Sequence, residues 1–139
     1  MAEKGAREIH KIIAVVIKDN EFLMVRKKGK DIWTSLGGKP ESGETEEQAL
    51  RREIKEELGC EADVIRKLGD FTDKAIFDDA MVRLSAYLVD LHGELRISDP
   101  ELEEFMFVPK DYRAKGVKLP PSIENQIIPF CVHERLLNW

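Results

Sequence analysis

Cysteine is scarce in this chain. Of 139 residues only two are cysteine, Cys60 and Cys131, and both sit among apolar neighbours. A disulfide framework is excluded; one bridge is open in principle, but two small buried hydrophobes is the simpler reading. Histidine is almost as rare: His10, His92 and His133 are isolated, without metal-ligand spacing, and read as surface or packing residues. No apolar run approaches the roughly 20 residues of a membrane-spanning helix. The opening "MAEKGAREIHK" lacks the apolar core of a signal peptide. A soluble, cytoplasmic protein without a membrane partner is expected. Excess positive charge is missing too. Lys and Arg number 22 against 27 Asp and Glu, for a net charge of −5 with the signs interleaved. That excludes an extended basic footprint for duplex nucleic acid, while a few Lys or Arg can still hold a small phosphorylated ligand. Repeats, low-complexity segments and interdomain linkers are absent, so residues 1–139 are expected to form one domain.

What is present is a mixture of strand and helix signals. "IHKIIAVVIK" (9–18) is apolar on both faces and β-branched, and reads as a buried strand. Asp19–Asn20 signals a turn, and "EFLMVRK" reads as its hairpin partner. "KGKDIW" is a loop leading to "TSLGG", a glycine-bearing turn, and a helix follows. "EADVIRKLGDF" reads as a strand and "DKAIFDDA" as a loop or hairpin. "MVRLSAYLVDLHG" is a long half-buried strand with Val82, Leu84, Ala86 and Leu88 on one face. A short strand is expected near Phe105–Val108, stopped by Pro109. The last segment starts a helix at its proline pair, with Ile123, Ile127, Phe130 and Leu137 as its stripe and Pro129 as a kink. Hairpins together with helical connections predict an α/β fold with helices packed on a mixed sheet.

The helix after the glycines is sharply bounded. Thr45 and Gln48 make a capping box, and Gly59 is a natural stop. At about 100° per residue, Leu50, Ile54 and Leu58 form one stripe. Glu53, Glu56 and Glu57 form the adjacent one, with Ala49 leaving it room. Like charges three or four residues apart repel by a few tenths of a kcal/mol per pair, and anions near a helix C-terminus oppose its dipole. Paired acids on an amphipathic helix are ordinarily a solvated face. The alternative is a hard divalent cation, held by a few carboxylates, waters and substrate phosphates. Such a cation would offset the repulsion, acidify a bound water and screen a phosphate ester.

The surrounding residues favour the second reading. From Gly38 the chain runs five residues to Glu44, seven to Arg52-Glu53-Ile54, then Lys55, Glu56-Glu57, Leu58, Gly59 and Cys60. This resembles the Nudix box, G-x5-E-x7-R-E-U-x-E-E-x-G-U with U a bulky aliphatic, over residues 38–60. All but one of the nine specified positions match, the exception being Cys60. Trp33 ahead of the glycines and the later "DPELEEFMFV" extend the resemblance to roughly Ile9–Val108. Leu36 stands where many members have proline, and Ser35 where a bulky residue is common. Those departures bear on the floor of the nucleotide pocket, not on the metal site.

The resemblance implies a Nudix-type α/β/α sandwich and Mg²⁺-dependent hydrolysis of a nucleoside diphosphate linked to another group, with Mn²⁺ an acceptable substitute. Carried onto this sequence, Glu53, Glu56 and Glu57 would bind metal with the Gly38 carbonyl. Arg52 would orient a metal-binding glutamate, and Glu44 would support the loop–helix geometry or a second metal. Lys39 could contact a phosphate. Glu56 or Glu57 is the first candidate for general base, and an acid in a later loop the second. Glu104 weighs evenly between a further metal ligand or base and a solvated residue, whereas Glu101 and Glu103 read as solvated. Arg26 is an even choice between phosphate contact and a solvated strand end, and Asn125 is a candidate base contact. Trp33 and Phe22 could stack on a base, but packing is the plainer role. The substrate expected first is a (d)NTP, oxidised forms included, cleaved to a monophosphate and pyrophosphate. ADP-ribose or a nucleotide sugar is the alternative within the same chemistry. A catalytically silent nucleotide-binding module is the alternative outside it, disfavoured by the intact Arg52, Glu53, Glu56 and Glu57. The partner is a small-molecule nucleotide, and the resemblance admits a homodimer.

Overall fold

A computed structural model describes residues 7–75 and 79–139. β1 (Glu8–Val15) is parallel to β7 (Met81–His92) and antiparallel to β5 (Leu36–Gly38); β7 is antiparallel to β6 (Glu61–Lys74). These make one mixed sheet in the order β5-β1-β7-β6. β2 (Ile17–Lys18), β3 (Glu21–Lys27), β4 (Trp33–Thr34) and β8 (Leu102–Val108) make a second, antiparallel sheet. α1 is Glu46–Leu58, and the chain closes with a π-helical turn, Ile123–Ile127, running into α2, Ile128–His133.

Side chains alternate across a strand, and β1 uses this to feed two cores. Ile9, Ile13 and Val15 enter a core with Ile123, Ile127, Ile128 and Cys131 of the C-terminal segment. Ile12, Ala14 and Val16 enter another with Ala49, Leu50, Ile54 and Leu58 of α1. β3 does the same, with Phe22 and Met24 on one side and Leu23 and Val25 on the other. The strands are therefore covered on both faces, giving the expected α/β/α layering. Both cysteines are free and buried. Among the described residues no helix is long and apolar enough to cross a membrane.

Local expectations met the structure unevenly. Asp19 and Asn20 turn the β2–β3 hairpin with φ of 51° and 63°, the left-handed pair a tight two-residue hairpin needs. Thr45 caps α1 through the full box, and Gly59 ends it at φ 68°. "TSLGG", by contrast, is no glycine turn: it passes from the end of β4 through Ser35 into β5, so its glycines lie in a strand. Gly37 lies so close to β1 that a Cβ there would meet the Ile12 carbonyl oxygen at 2.0 Å, and a glycine alone permits the pairing. β8 starts at Leu102, three residues before its expected position. The expected C-terminal helix is split at Pro129, which has no N–H to donate; the ladder widens to π pairing before it and α2 restarts around it. The loop-or-hairpin reading of "DKAIFDDA" holds at its ends, where Lys74 pairs with Met81; residues 76–78 lie outside the described residues.

Candidate active site

The buried stripe of α1 fixes its rotation, and with it the acids. Leu50, Ile54 and Leu58 are fully buried, which turns Glu53 and Glu57 toward the edge of the sheet at β5. Glu57 is 8% exposed, and its Oε1 accepts the Gly37 N–H at 3.0 Å. Glu53 lies against Gly38 so closely that a Cβ there would come within 2.5 Å of its carboxyl group. Glu56 points outward with its side chain 55% exposed. The acidic stripe thus divides into two inward carboxylates and one outward.

Arg52 ties this stretch together. Its Nε and Nη2 donate to the two oxygens of Glu44 at 2.6 and 2.9 Å, a bidentate pair. Nη1 donates to Glu53 at 3.0 Å and Glu56 at 3.3 Å, and Nη2 to the Lys39 carbonyl at 3.2 Å. Glu44 also accepts the Glu41 N–H at 2.7 Å. The Arg52 hydrogen bonds hold the Glu44 carboxyl down at about 2, and Glu44 raises Arg52 above its already high value. Glu53 is raised by burial, against the pull of Arg52. Glu57 is pushed up to about 8 by burial, with the Gly37 N–H opposing and the Glu53 and Asp99 charges adding.

Glu53 and Glu57 open onto a cavity of about 300 Å³. Gly37, Gly38, Lys27 and Lys39 share that end with them, as do Asp99 and Glu101 from the loop before β8. Ile9, Ile13, Val82, Leu84 and Pro120 supply apolar surface, and Lys11 and Ser122 add polar groups. Among the described residues no three His, Cys, Asp or Glu side chains are already drawn together as a closed metal cage. The donor set nevertheless fits a hard cation. It consists of the Glu53 and Glu57 carboxylate oxygens beside the half-buried Gly37–Gly38 backbone, and hard ions prefer oxygen ligands of this kind.

Several anticipated residues stand elsewhere. Arg26 donates to Glu104 at 2.6 and 3.2 Å and to the Lys30 carbonyl at 2.8 Å, and neither Arg26 nor Glu104 lines the cavity. The early start of β8 is the reason: Glu104 sits within the strand, paired in register with Arg26. Asn125 is exposed and also absent from the lining, where Pro120 and Ser122 stand instead. Trp33 is buried beneath the Arg26 guanidinium, 5.7 Å from its ring centre, and Phe22 is core. Sequence reasoning missed Asp99, Lys11 and Lys27, and set Glu101 aside as solvated. The acidic loop "SDPE" stands in the sequence, but a strand expected only from Phe105 puts Glu103 and Glu104, rather than Asp99 and Glu101, at the loop's end.

A family model described as the NUDIX domain matches residues 8–123. The chain is 33% identical over 91 residues to an oxidized purine nucleoside triphosphate hydrolase of Danio rerio, covering 63% of this chain and 58% of that protein. It is 31% identical over 93 residues to a CTP pyrophosphohydrolase of Escherichia coli K12, covering 63% and 67%. The solution structure of the E. coli ORF135 protein superposes with a TM-score of 0.72 at 26% identity, over 94% of both chains. The aligned region thus spans between about half and two thirds of these relatives' lengths where the curated proteins are concerned.

Proposed function

Because this chain belongs to the NUDIX family, we propose that it hydrolyses the pyrophosphate linkage of a nucleoside diphosphate derivative, a nucleoside triphosphate first of all. The observation that carries this reading is the placement of Glu53 and Glu57. Arg52 and the Gly37 N–H hold their carboxylates at the mouth of a cavity that also presents Lys27 and Lys39. Similarity to proteins named for oxidised purine triphosphate and CTP hydrolysis supports a triphosphate, and similarity to a protein named ADP-ribose pyrophosphatase from Methanocaldococcus jannaschii supports a diphosphate conjugate as the alternative.

Glu53 and Glu57 would hold a Mg²⁺ ion, or Mn²⁺ in its place, with Glu56 on the outer side and the Gly38 carbonyl at the edge. When bound, the ion supplies charge screening for the phosphates and acidifies water. The chain's own groups do the remaining work. Arg52 fixes the Glu53 carboxylate while Glu44 fixes Arg52, so the site is preorganised from helix to loop. Lys27 and Lys39 bind phosphate oxygens. With Glu53 and Glu57 engaged as ligands, Asp99 and Glu101 are the acids left on the lining to take a proton from the attacking water. Arg26 and Glu104 brace β3 against β8 outside the reaction.

The test is a panel of nucleoside triphosphates and diphosphate conjugates with Mg²⁺, resolving monophosphate plus pyrophosphate from two monophosphates. Glu57→Gln should lower kcat by at least about two orders of magnitude while the circular dichroism spectrum stays native. A chain that turns over no member of the panel, or a fully active Glu57→Gln, refutes the reading; nucleotide binding without turnover would instead mark a silent binding module.

A further inference from the structure

The face on which a strand side chain stands decides what it can read. Along β7, Val82 and Leu84 face the cavity, while Met81 and Arg83 face the other side of the sheet. Lys74 pairs with Met81 and is exposed, so its side chain shares that other side. Lys11 precedes Ile12, which pairs with Gly38, and so adjoins the phosphate end along with Lys27 and Lys39. Setting these lysines and the four acids aside, the polar side chains on the lining, among the described residues, are Thr34, Ser35 and Ser122. All three are hydroxyls. Thr34 and Ser35 stand just ahead of the glycines of β5, again at the phosphate end.

Ser122 stands apart. The C-terminal segment leaves β4 where the Lys118 carbonyl accepts the Trp33 N–H at 2.9 Å. It reaches β6 where the Gln126 amide donates to the Thr72 carbonyl and to Asp73, each at 3.4 Å. Midway between, Ser122 crosses over the strands that carry Ile9, Ile13, Val82 and Leu84, and its neighbour Ile123 packs into the same core. The residue is only 4% exposed, yet its hydroxyl caps no helix and bonds to no described residue. Among the described residues no side-chain oxygen is sealed off without a partner, so this hydroxyl opens on the cavity. The aliphatic floor and the Pro120–Ser122 stretch above it leave a slot with apolar walls. A nucleobase, with apolar faces and a polar rim, suits such a slot; a pentose would bury hydroxyls against hydrocarbon.

A serine hydroxyl rotates to donate or to accept, so it pairs with an exocyclic amino group or with a carbonyl. Resting on the reading of this cavity as a nucleotide site, we propose that Ser122 contacts the base, and that pairing through this hydroxyl makes the enzyme a nucleoside triphosphate hydrolase with little preference between amino and carbonyl bases. A site of fixed donors or fixed acceptors would discriminate far more sharply.

Two matched pairs of substrates test the breadth, ITP against ATP and UTP against CTP, since each exchanges a carbonyl for an amino group. In the native enzyme kcat/KM should agree within about fivefold in each pair. Ser122→Ala should raise KM for all four about threefold to tenfold, as expected for one neutral hydrogen bond, and more than it lowers kcat. It should weaken competitive inhibition by nucleoside monophosphates to the same extent and leave inhibition by pyrophosphate unchanged, which a general distortion of the site would not do. The native ratios need no variant: a larger preference within either pair overturns the breadth and leaves the hydrolase reading standing. Monophosphate inhibition unchanged in Ser122→Ala, or pyrophosphate inhibition weakened equally, overturns the base contact. No turnover of any nucleotide overturns the hydrolase reading itself, and this proposal with it.

Discussion

Glu57 is buried, accepts the Gly37 N–H, and feels the Glu53 and Asp99 charges. Its folded-state pKa of about 8 lies above the ordinary value of 4.5. Between those values the metal-free folded protein holds a proton that the unfolded chain has released. Stability therefore falls as pH rises from about 4.5 toward 8, since the folded state binds more protons throughout that window. Thermal unfolding in chelator across that range should show the decline, and Glu57→Gln should flatten it; an undiminished slope in the variant would assign it to another group. At this scale the sequence was informative where chemistry is local. Arg52 and Glu53 are neighbours on α1 and Glu44 lies just before its cap, so short separations along the chain bring the three together. Asp99 and Lys27 reach the same cavity from distant strands and loops, and no periodicity along the chain connects them to it.

Among the elements, α1 was the most legible, because its caps, apolar stripe and stop are written in adjacent residues. Thr45 accepts the Gln48 N–H at 3.1 Å while the Gln48 side chain accepts the Thr45 N–H at 2.9 Å. Thr45→Ala should cost about 1 kcal/mol in urea unfolding; a change near zero would mean that packing alone fixes the helix start. β5 was illegible for the opposite reason. A strand of Leu36-Gly37-Gly38 has no alternation to read, and it exists because β1 accepts a bare backbone alongside. β8 starts earlier than expected because Leu102, which pairs with Lys27 across a bulge, is separated from the aromatic run by two glutamates with a loop-like composition. The π-helical turn arises from Pro129 acting through the ladder before it, an effect that apolar spacing does not encode.

For the molecule as a whole, the order of elements sufficed for the layered α/β architecture, since strands covered on both faces need helices on both sides. A ligand that binds the folded state alone must stabilise all of it. Mg²⁺ at a hundredfold excess over its dissociation constant should add about 2.7 kcal/mol, a rise in Tm of several degrees for a domain of this size. Chelator should abolish the rise, and Glu53→Gln should weaken it. A Tm indifferent to Mg²⁺ in the native protein would remove the metal from the site. The alternation of β1 carries a consequence of another kind. Ile9, Lys11 and Ile13 face the cavity, while Ile12, Ala14 and Val16 face the helix. One strand is thus a partition between two selective pressures. In a saturation mutagenesis library scored separately for abundance and for substrate preference, abundance should fall at both sets of buried positions, and along this strand preference should shift only at Ile9, Lys11 and Ile13. The lineage could then change its diet there only at odd-numbered positions, and at Ile9 and Ile13 only together with a cost in folding.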